Sequence, residues 1–257
     1  MWRRIWYNAD MIKTNRKIVS AMHRAIVDYE MLADGDKVAV GVSGGKDSLT
    51  LLASLAQYRR QVKYHFEIVA VAVDIFGNTD FEEIQKFCDE LGVPLHIVRT
   101  EINKIVFDVR KEKNPCSLCA NLRRGSLNTA AKELGCNKVA LGHHADDLVE
   151  TFFMCVAKEN RLSTFWPKTY LSRIDLHLIR PMIYVWENAI TESAKDYPVL
   201  FNPCKADKTS QRAQTKNILA NLETQVPNFK QALHAAICKT ERYNLFDKVK
   251  KGDNNEI

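Results

Sequence analysis

Three groups of residues carry side chains able to do chemistry. In Ser43-Gly44-Gly45-Lys46-Asp47-Ser48 a serine and two glycines follow the apolar run from Val38 to Val42, and a helical pattern begins directly after them. Such a turn lets consecutive backbone N–H groups face one anion, the start of the next helix adds its positive dipole end, and Lys46 adds a mobile cation. The chemistry that suits this stretch is phosphate binding. Cys116 and Cys119 stand at a spacing that lets two thiolates reach one metal centre, and Cys204, in a turn after Asn202-Pro203, is a third candidate. Three sulfur ligands without an obvious fourth suit a catalytic zinc or a [4Fe-4S] cluster with one iron left open, and a redox pair is the remaining reading of the Cys-x-x-Cys. His143, His144, Asp146 and Asp147 form the third group, at the end of another apolar run.

These groups need elements to bring them together. Residues 14–31 place Ile18, Met22, Ala25, Ile26 and Tyr29 at helical spacing ahead of a first strand over Val38–Val42. Ser48, Leu51, Leu52 and Leu55 form the inward stripe of the helix after the glycine turn, and Phe66–Val73, ending at Asp74, reads as a strand covered on both faces and parallel to the first. A helix over Asp80–Leu91 stops at Gly92, with Cys88 on its core stripe, and Pro94–Thr100 reads as a third strand. Asn103–Lys113 is expected to be helical, Cys116 and Cys119 to precede a helix that closes at Gly135, and Lys138–Gly142 to be a fourth strand. Strands alternating with helices imply a doubly wound, mainly parallel sheet, in which ligands bind beyond the carboxyl ends of the strands. The glycine turn, Asp74 and the His-Asp group all fall at such ends.

Beyond Cys155 the pattern weakens. Asn160–Tyr170 shows no clear period, Ile174–Ile179 reads as a strand, Trp186–Lys195 as a helix, Val199–Phe201 as a last short strand, and Thr209–Leu222 and Pro227–Ile237 as further helices. Cys136, Cys155 and Cys238 are read as structural.

At 257 residues and 46% apolar content the chain can bury one substantial core. It has no run of about 18 apolar residues and no secretory pattern at Met1–Trp6, so a cytoplasmic protein with no membrane partner is expected. Seven cysteines in such a chain point to metal or redox chemistry before structural disulfides. The net charge of +6 gathers at the two ends: residues 204–257 hold ten Lys or Arg against six acids. That distribution suits a phosphate-backbone partner or a solvated helical surface equally well: Lys205, Lys208, Arg212 and Lys216 read as RNA contacts or as water-facing groups, and a frayed tail is expected after Lys250.

The glycine turn matches neither common nucleotide fingerprint. A P-loop would place its first glycine where this chain has Val40, and would follow Lys46 with Ser or Thr; a dinucleotide turn would need glycine at Ser43. Ser43–Ser48 instead resembles the PP-loop of the N-type ATP pyrophosphatases, which cleave ATP between the α and β phosphates. With Cys116-Ser117-Leu118-Cys119, Leu122-Arg123-Arg124-Gly125, Leu141-Gly142-His143-His144-Ala145-Asp146-Asp147, Arg180-Pro181 and Pro203-Cys204, the chain is similar to the TtcA/TtuA branch of iron-sulfur-dependent tRNA thiolases, above all to tRNA 2-thiocytidine synthetases. The likeness runs from about residue 20 to about residue 220.

The resemblance implies an adenine nucleotide α-hydrolase-like fold, divided as an N-terminal helical segment (1–31), a PP-loop ATP-binding domain with the cluster ligands (32–200) and a basic helical C-terminal region (201–257). It implies that Ser43, Gly44, Gly45, Lys46, Asp47 and Ser48 grip the phosphates of ATP while Val73, Gly142 and His143 line the nucleotide pocket. Cys116, Cys119 and Cys204 would hold a [4Fe-4S] cluster. Lys46, Asp47, Asp147 and Arg123 would act in catalysis, with the carboxylates on Mg²⁺ or the reacting base, Asp146 supporting them, and Arg123 stabilising charge beside the cluster. The implied reaction adenylates a tRNA base carbonyl, at C2 of cytidine, and replaces its oxygen with sulfur from sulfide or a cysteine desulfurase. Family members are often homodimers. Two departures stand out. Where many 2-thiocytidine synthetases carry a second Cys-x-x-Cys, this chain has Cys204-Lys205-Ala206-Asp207, and Phe165-Trp166-Pro167 falls in a segment able to shape the substrate. The rival readings are a sulfur transferase for another nucleoside or a small molecule, and a cluster-bearing redox module that holds nucleotide without turnover.

Overall fold

The computed structural model describes residues 14–110, 115–201 and 211–239. Expectations at Cys204, Lys205 and Lys208, at residues 111–113 and in the tail after Lys250 lie outside them. Six strands form one sheet in the order β3-β2-β1-β4-β6-β5. β1 (Asp36–Val42) pairs in parallel with β2 (Phe66–Asp74) from Asp36↔Phe66 to Val42↔Ala72, and with β4 (Lys138–Ala140) on its other side. β3 (Leu95–Arg99) extends the β2 edge in parallel, and β6 (Leu176–Ile179) does the same beyond β4. β5 (Lys168–Leu171) closes that edge antiparallel to β6, Lys168 opposite Ile179. The direction of winding reverses between β1 and β4, the place where doubly wound sheets open a crevice for ligands.

Helices cover both faces. α1 (Arg16–Asp28) is capped by Asn15, whose side chain accepts from Lys17 N–H, and buries Ile18, Val19, Met22, Ala25 and Ile26. α2 (Lys46–Arg59) is buried well beyond a stripe, from Ser48 through Ala56, because it is sandwiched between the sheet and outer helices. α3 (Glu82–Leu91) presents Ile84, Phe87, Cys88 and Leu91 to the same core and ends at Gly92 in the left-handed region. On the opposite face α5 (Pro115–Glu133) packs Leu127, Ala130 and Ala131 against Val69, Val71 and Val139. α6 (Ala145–Glu159), α7 (Glu187–Ser193), α8 (Gln211–Gln225) and α9 (Phe229–Cys238) complete the described chain. No described helix is long and apolar enough to cross a membrane.

Several expectations change. The segment from residue 103 opens as a single turn, α4 (Ile102–Lys104), and continues as a π turn over Ile105–Val109. Cys116 and Cys119 lie inside α5, not ahead of it, since the helix starts at Pro115, a residue suited to a first turn where its missing N–H has no helical partner. Lys168–Leu171 forms an edge strand in a stretch that shows no period, because its residues are half-buried or exposed throughout. Val199–Phe201 forms no strand; Leu200 instead donates its N–H to Gly44 O at 2.9 Å and docks on the glycine turn.

Candidate active site

The turn between β1 and α2 is held by Ser48. Its hydroxyl donates to Gly45 O at 2.9 Å and accepts from Ser43 N–H at 3.0 Å, while Gly45 N–H donates to Ser43 Oγ at 3.3 Å. Gly44 has φ +78°, and a Cβ there would meet Leu200 Cδ1 at 2.7 Å, so conformation and space both require glycine. The turn leaves the first N–H groups of α2, which have no intrahelical partner, facing the end of the sheet. Gly142, after β4, lies directly against that helix start: a Cβ would sit 3.1 Å from the backbone C and O of Asp47.

A cleft of about 360 Å³ opens here, lined by Ser43, Asp47, Ser48, Gly142, His143 and Asp147 together with Val73, Ala120, Arg123 and Arg212. A second hollow of about 500 Å³, bounded by Asp74, Phe76, Thr79 and Phe201, shares Ser43, Val73 and Arg123 with the first. Asp74 stands at this edge with its carboxylate engaged. It accepts from Phe76 N–H and Thr79 N–H at 3.1 Å and from Thr79 Oγ1 and Arg99 Nη1 at 2.6 Å. Burial pushes its pKa up, and Thr79 and Arg99 outweigh that and hold it low. Asp74 therefore shapes the loop after β2.

Lys46 Nζ donates to Asp47 Oδ1 at 2.7 Å and to Glu187 Oε1 at 3.1 Å. Burial works against its charge, but the two carboxylates raise its pKa above that of a free lysine, so it remains an ammonium. Glu187 is shared: its second oxygen accepts from Lys216 Nζ at 2.6 Å. Burial opposes its ionisation, yet the two lysines bring it down to about 2. Asp147 accepts from His144 N–H at 3.0 Å, in the cap of α6, and from Arg212 Nη1 at 3.0 Å. Asp146 points elsewhere: it accepts from Glu187 N–H and from Lys230 Nζ, both at 2.8 Å, tying α6 to α7 and α9. Glu150, buried one turn on and 3.8 Å from Arg212, is driven up to about 7 by burial and by Asp147.

His143 sits with its ring 5.0 Å from that of Phe165, its Nδ1 buried and unpartnered. Burial, then Arg180, lowers it to about 4, so the imidazole is neutral near pH 7. Arg123 is half-buried, one helical turn after Cys119, and burial lowers its pKa while Cys119 opposes the shift. Cys116 is exposed and Cys119 half-buried; in α5 their three-residue spacing puts them on one face, neighbours across a turn. Among the described residues no group of three metal-ligating side chains gathers, and Cys204 lies outside them.

Sequence reasoning missed Glu187, Lys230 and Glu150, and took Arg212 and Lys216 only as basic groups for RNA or solvent, not as partners of Asp147 and Glu187. Arg212 and Lys216, four apart on α8, carry the one signal available, a pair of cations on a common helix face. They contact the acids of the cleft.

The fold, with its glycine turn feeding a helix start at the point where the sheet reverses, defines a PP-loop nucleotide-binding protein. A family model described as a PP-loop domain matches residues 13–221. The tRNA-cytidine(32) 2-sulfurtransferase of Geobacter sulfurreducens is 37% identical over 239 residues, 90% of this chain and 93% of the relative. That of Cytophaga hutchinsonii is 36% identical over 243 residues, 92% and 84% of the two chains. Among solved structures, the U34-tRNA thiolase NcsA from Methanococcus maripaludis with its [4Fe-4S] cluster superposes with a TM-score of 0.70, covering 89% of this chain and 79% of its own at 24% identity, a likeness of fold. The chain belongs to the PP-loop family, in the branch that holds the tRNA-cytidine(32) 2-sulfurtransferases.

Proposed function

We propose that this protein is an ATP-dependent sulfurtransferase acting on a tRNA base, with cytidine C2 as the reacting position. The observation that supports it best is Arg123. It lines the cleft that contains the PP-loop and follows Cys119 by one turn of α5, so the thiols and the phosphate cradle share one edge of the sheet.

The overall chemistry converts a base carbonyl, ATP and sulfide into a thiocarbonyl, AMP and pyrophosphate. In the first step the base oxygen attacks the α-phosphorus and pyrophosphate leaves. Negative charge grows on the departing oxygens, where the N–H groups opening α2 and the Lys46 ammonium stabilise it. For Lys46 to reach the nucleotide it exchanges Glu187 for phosphate, and Lys216 keeps that carboxylate paired meanwhile. Asp47 and Asp147, both lining the cleft, would hold Mg²⁺ or polarise the base. Neutral His143 lines the pocket without adding charge, and Arg123 faces charge developing between cradle and thiols.

The donor set fits an iron-sulfur group. Two soft sulfur ligands stand one turn apart on a rigid helix, Cys119 against the apolar layer beneath the sheet, and Cys204 would complete the set. A [4Fe-4S] cluster so held would supply an iron with an open position for sulfide, delivered as such or by a cysteine desulfurase. Carbonyl activation then depends on Lys46, Asp47 and Asp147, and exclusion of water on the walls of the cleft.

The test is AMP and pyrophosphate release from ATP by the anaerobically purified, cluster-loaded protein supplied with Mg²⁺ and sulfide. Release in equal amounts, dependent on tRNA and lost in Lys46→Ala, is expected. Release without tRNA, or on adding a small thiol acceptor alone, would favour another substrate, and no release with any acceptor would favour a nucleotide-holding module.

A further inference from the structure

Beside the cleft lies an aromatic and cationic group to which the reaction gives no task. Trp166 is 73% exposed on the segment before β5. The backbone that carries it is tied to Arg180: the guanidinium donates to Trp166 O, and Arg180 N–H donates to Pro167 O at 2.9 Å. The guanidinium lies over the Phe165 ring, 4.8 Å from its centre, and the same ring packs against His143, which lines the cleft. Arg180 pairs with no carboxylate among the described residues, and its Nε is buried without a partner. Its nearest charged influence is another cation, Arg124 on α5, which lines the cleft and, after burial, lowers the Arg180 pKa to about 10.

Arg180 is half-buried with its Nε buried and unpartnered, feels a second arginine, and like Arg124 pairs with no acid among the described residues, an arrangement that an anion would complete. Trp166 stands exposed on a backbone tied by two hydrogen bonds, and an exposed indole is a surface whose natural partner is another flat ring. Phosphate and base alternate along one polymer, and the two features meet the cleft through Arg124 and through His143 against Phe165. We infer that Trp166, with the Arg180–Phe165 stack and Arg124, is a shelf for single-stranded RNA: Trp166 stacks on an unpaired base flanking the reacting nucleotide, and Arg124 with Arg180 takes a phosphate of the same strand. This rests on the tRNA reading of the cleft and deepens it. It assigns to the shelf the strand that presents the target base, and it requires that base to lie in a loop, out of a duplex.

The test uses full-length protein and an unmodified tRNA transcript, with affinities measured across a salt series. Trp166→Ala is expected to weaken tRNA binding roughly fivefold to a hundredfold. Trp166→Phe should restore most of the loss, and ATP affinity should be unchanged in both. Arg124→Gln should weaken binding and reduce the slope of affinity against salt by about one phosphate contact. If wild-type protein binds the transcript and Trp166→Ala binds it equally well, the shelf is wrong while the tRNA reading stands. An equal affinity accompanied by a lower sedimentation mass for Trp166→Ala would assign Trp166 to contact between protein chains and would likewise overturn the shelf. Failure of wild-type protein to bind the transcript at low salt would remove the tRNA reading itself, and the shelf with it.

Discussion

The two walls of the cleft are held by different forces. On one side the turn after β1 and the end of β4 are positioned by backbone: Ser48 ties the turn from within, Gly44 adopts φ +78°, and Gly142 touches the backbone of Asp47. On the other side α7, α8 and α9 are joined to the same edge by ion pairs, Lys216 with Glu187, Arg212 with Asp147 and Lys230 with Asp146. The first wall, the cradle proposed for phosphate, is held by uncharged hydrogen bonds and close backbone contacts, so its geometry should depend little on salt and pH. The second is an adjustable array of charges, able to re-pair when phosphate enters.

Breaking the rigid wall has the largest expected effect. Lys46 stands on the helix that the turn opens but is paired through Glu187 to the other wall. Lys46→Ala removes the cation proposed for the leaving group, and the rate of AMP formation should fall about a hundredfold to a thousandfold with the melting temperature little changed. Gly142→Ala forces a methyl group to within 3.1 Å of the Asp47 backbone, which cannot yield as a flexible side chain would. ATP affinity should drop about tenfold and stability by roughly 1–3 kcal/mol, read by calorimetry and denaturant titration.

The adjustable wall sharpens the contrast through pH. Glu150 has a folded pKa of about 7, above its unfolded value, so between these two the native state keeps a proton that the unfolded chain has lost. Stability should therefore decline as pH rises through that window and level off above it, by roughly 3 kcal/mol. Glu150→Gln should flatten the profile. Glu187 runs the other way. Its folded pKa of about 2 means that its contribution is present above the ordinary glutamate pKa and is lost as pH falls toward 2. The smallest effect belongs to Arg212→Ala, where an exposed guanidinium leaves Asp147: a loss of about 1 kcal/mol at low salt, shrinking in high salt, measured by denaturant titration.

What could be read from the chain follows the same division. The cradle was legible because its determinants are adjacent: an apolar run, a glycine pair and a helix start within a dozen residues. The parallel order of β1 and β2 followed from their unbroken apolar sequence. The ion-paired wall was not legible, since Arg212 meets Asp147 across 65 residues and neither residue carries a local sign of the other. β5 was missed because an edge strand exposed on Tyr170 and half-buried elsewhere has no alternation to detect. The strand expected at Val199–Phe201 failed for a related reason. Leu200 finds its backbone partner at Gly44 and so seals the cradle without extending the sheet.

Joining cradle, thiols and RNA in one reaction makes a single product the most direct measure of the account. Nucleosides from tRNA incubated anaerobically with the reconstituted protein, ATP, Mg²⁺ and sulfide should contain 2-thiocytidine by mass spectrometry, and none after the same treatment with Cys119→Ser. Unmodified tRNA despite ATP turnover, or sulfur incorporated equally by Cys119→Ser, would contradict it.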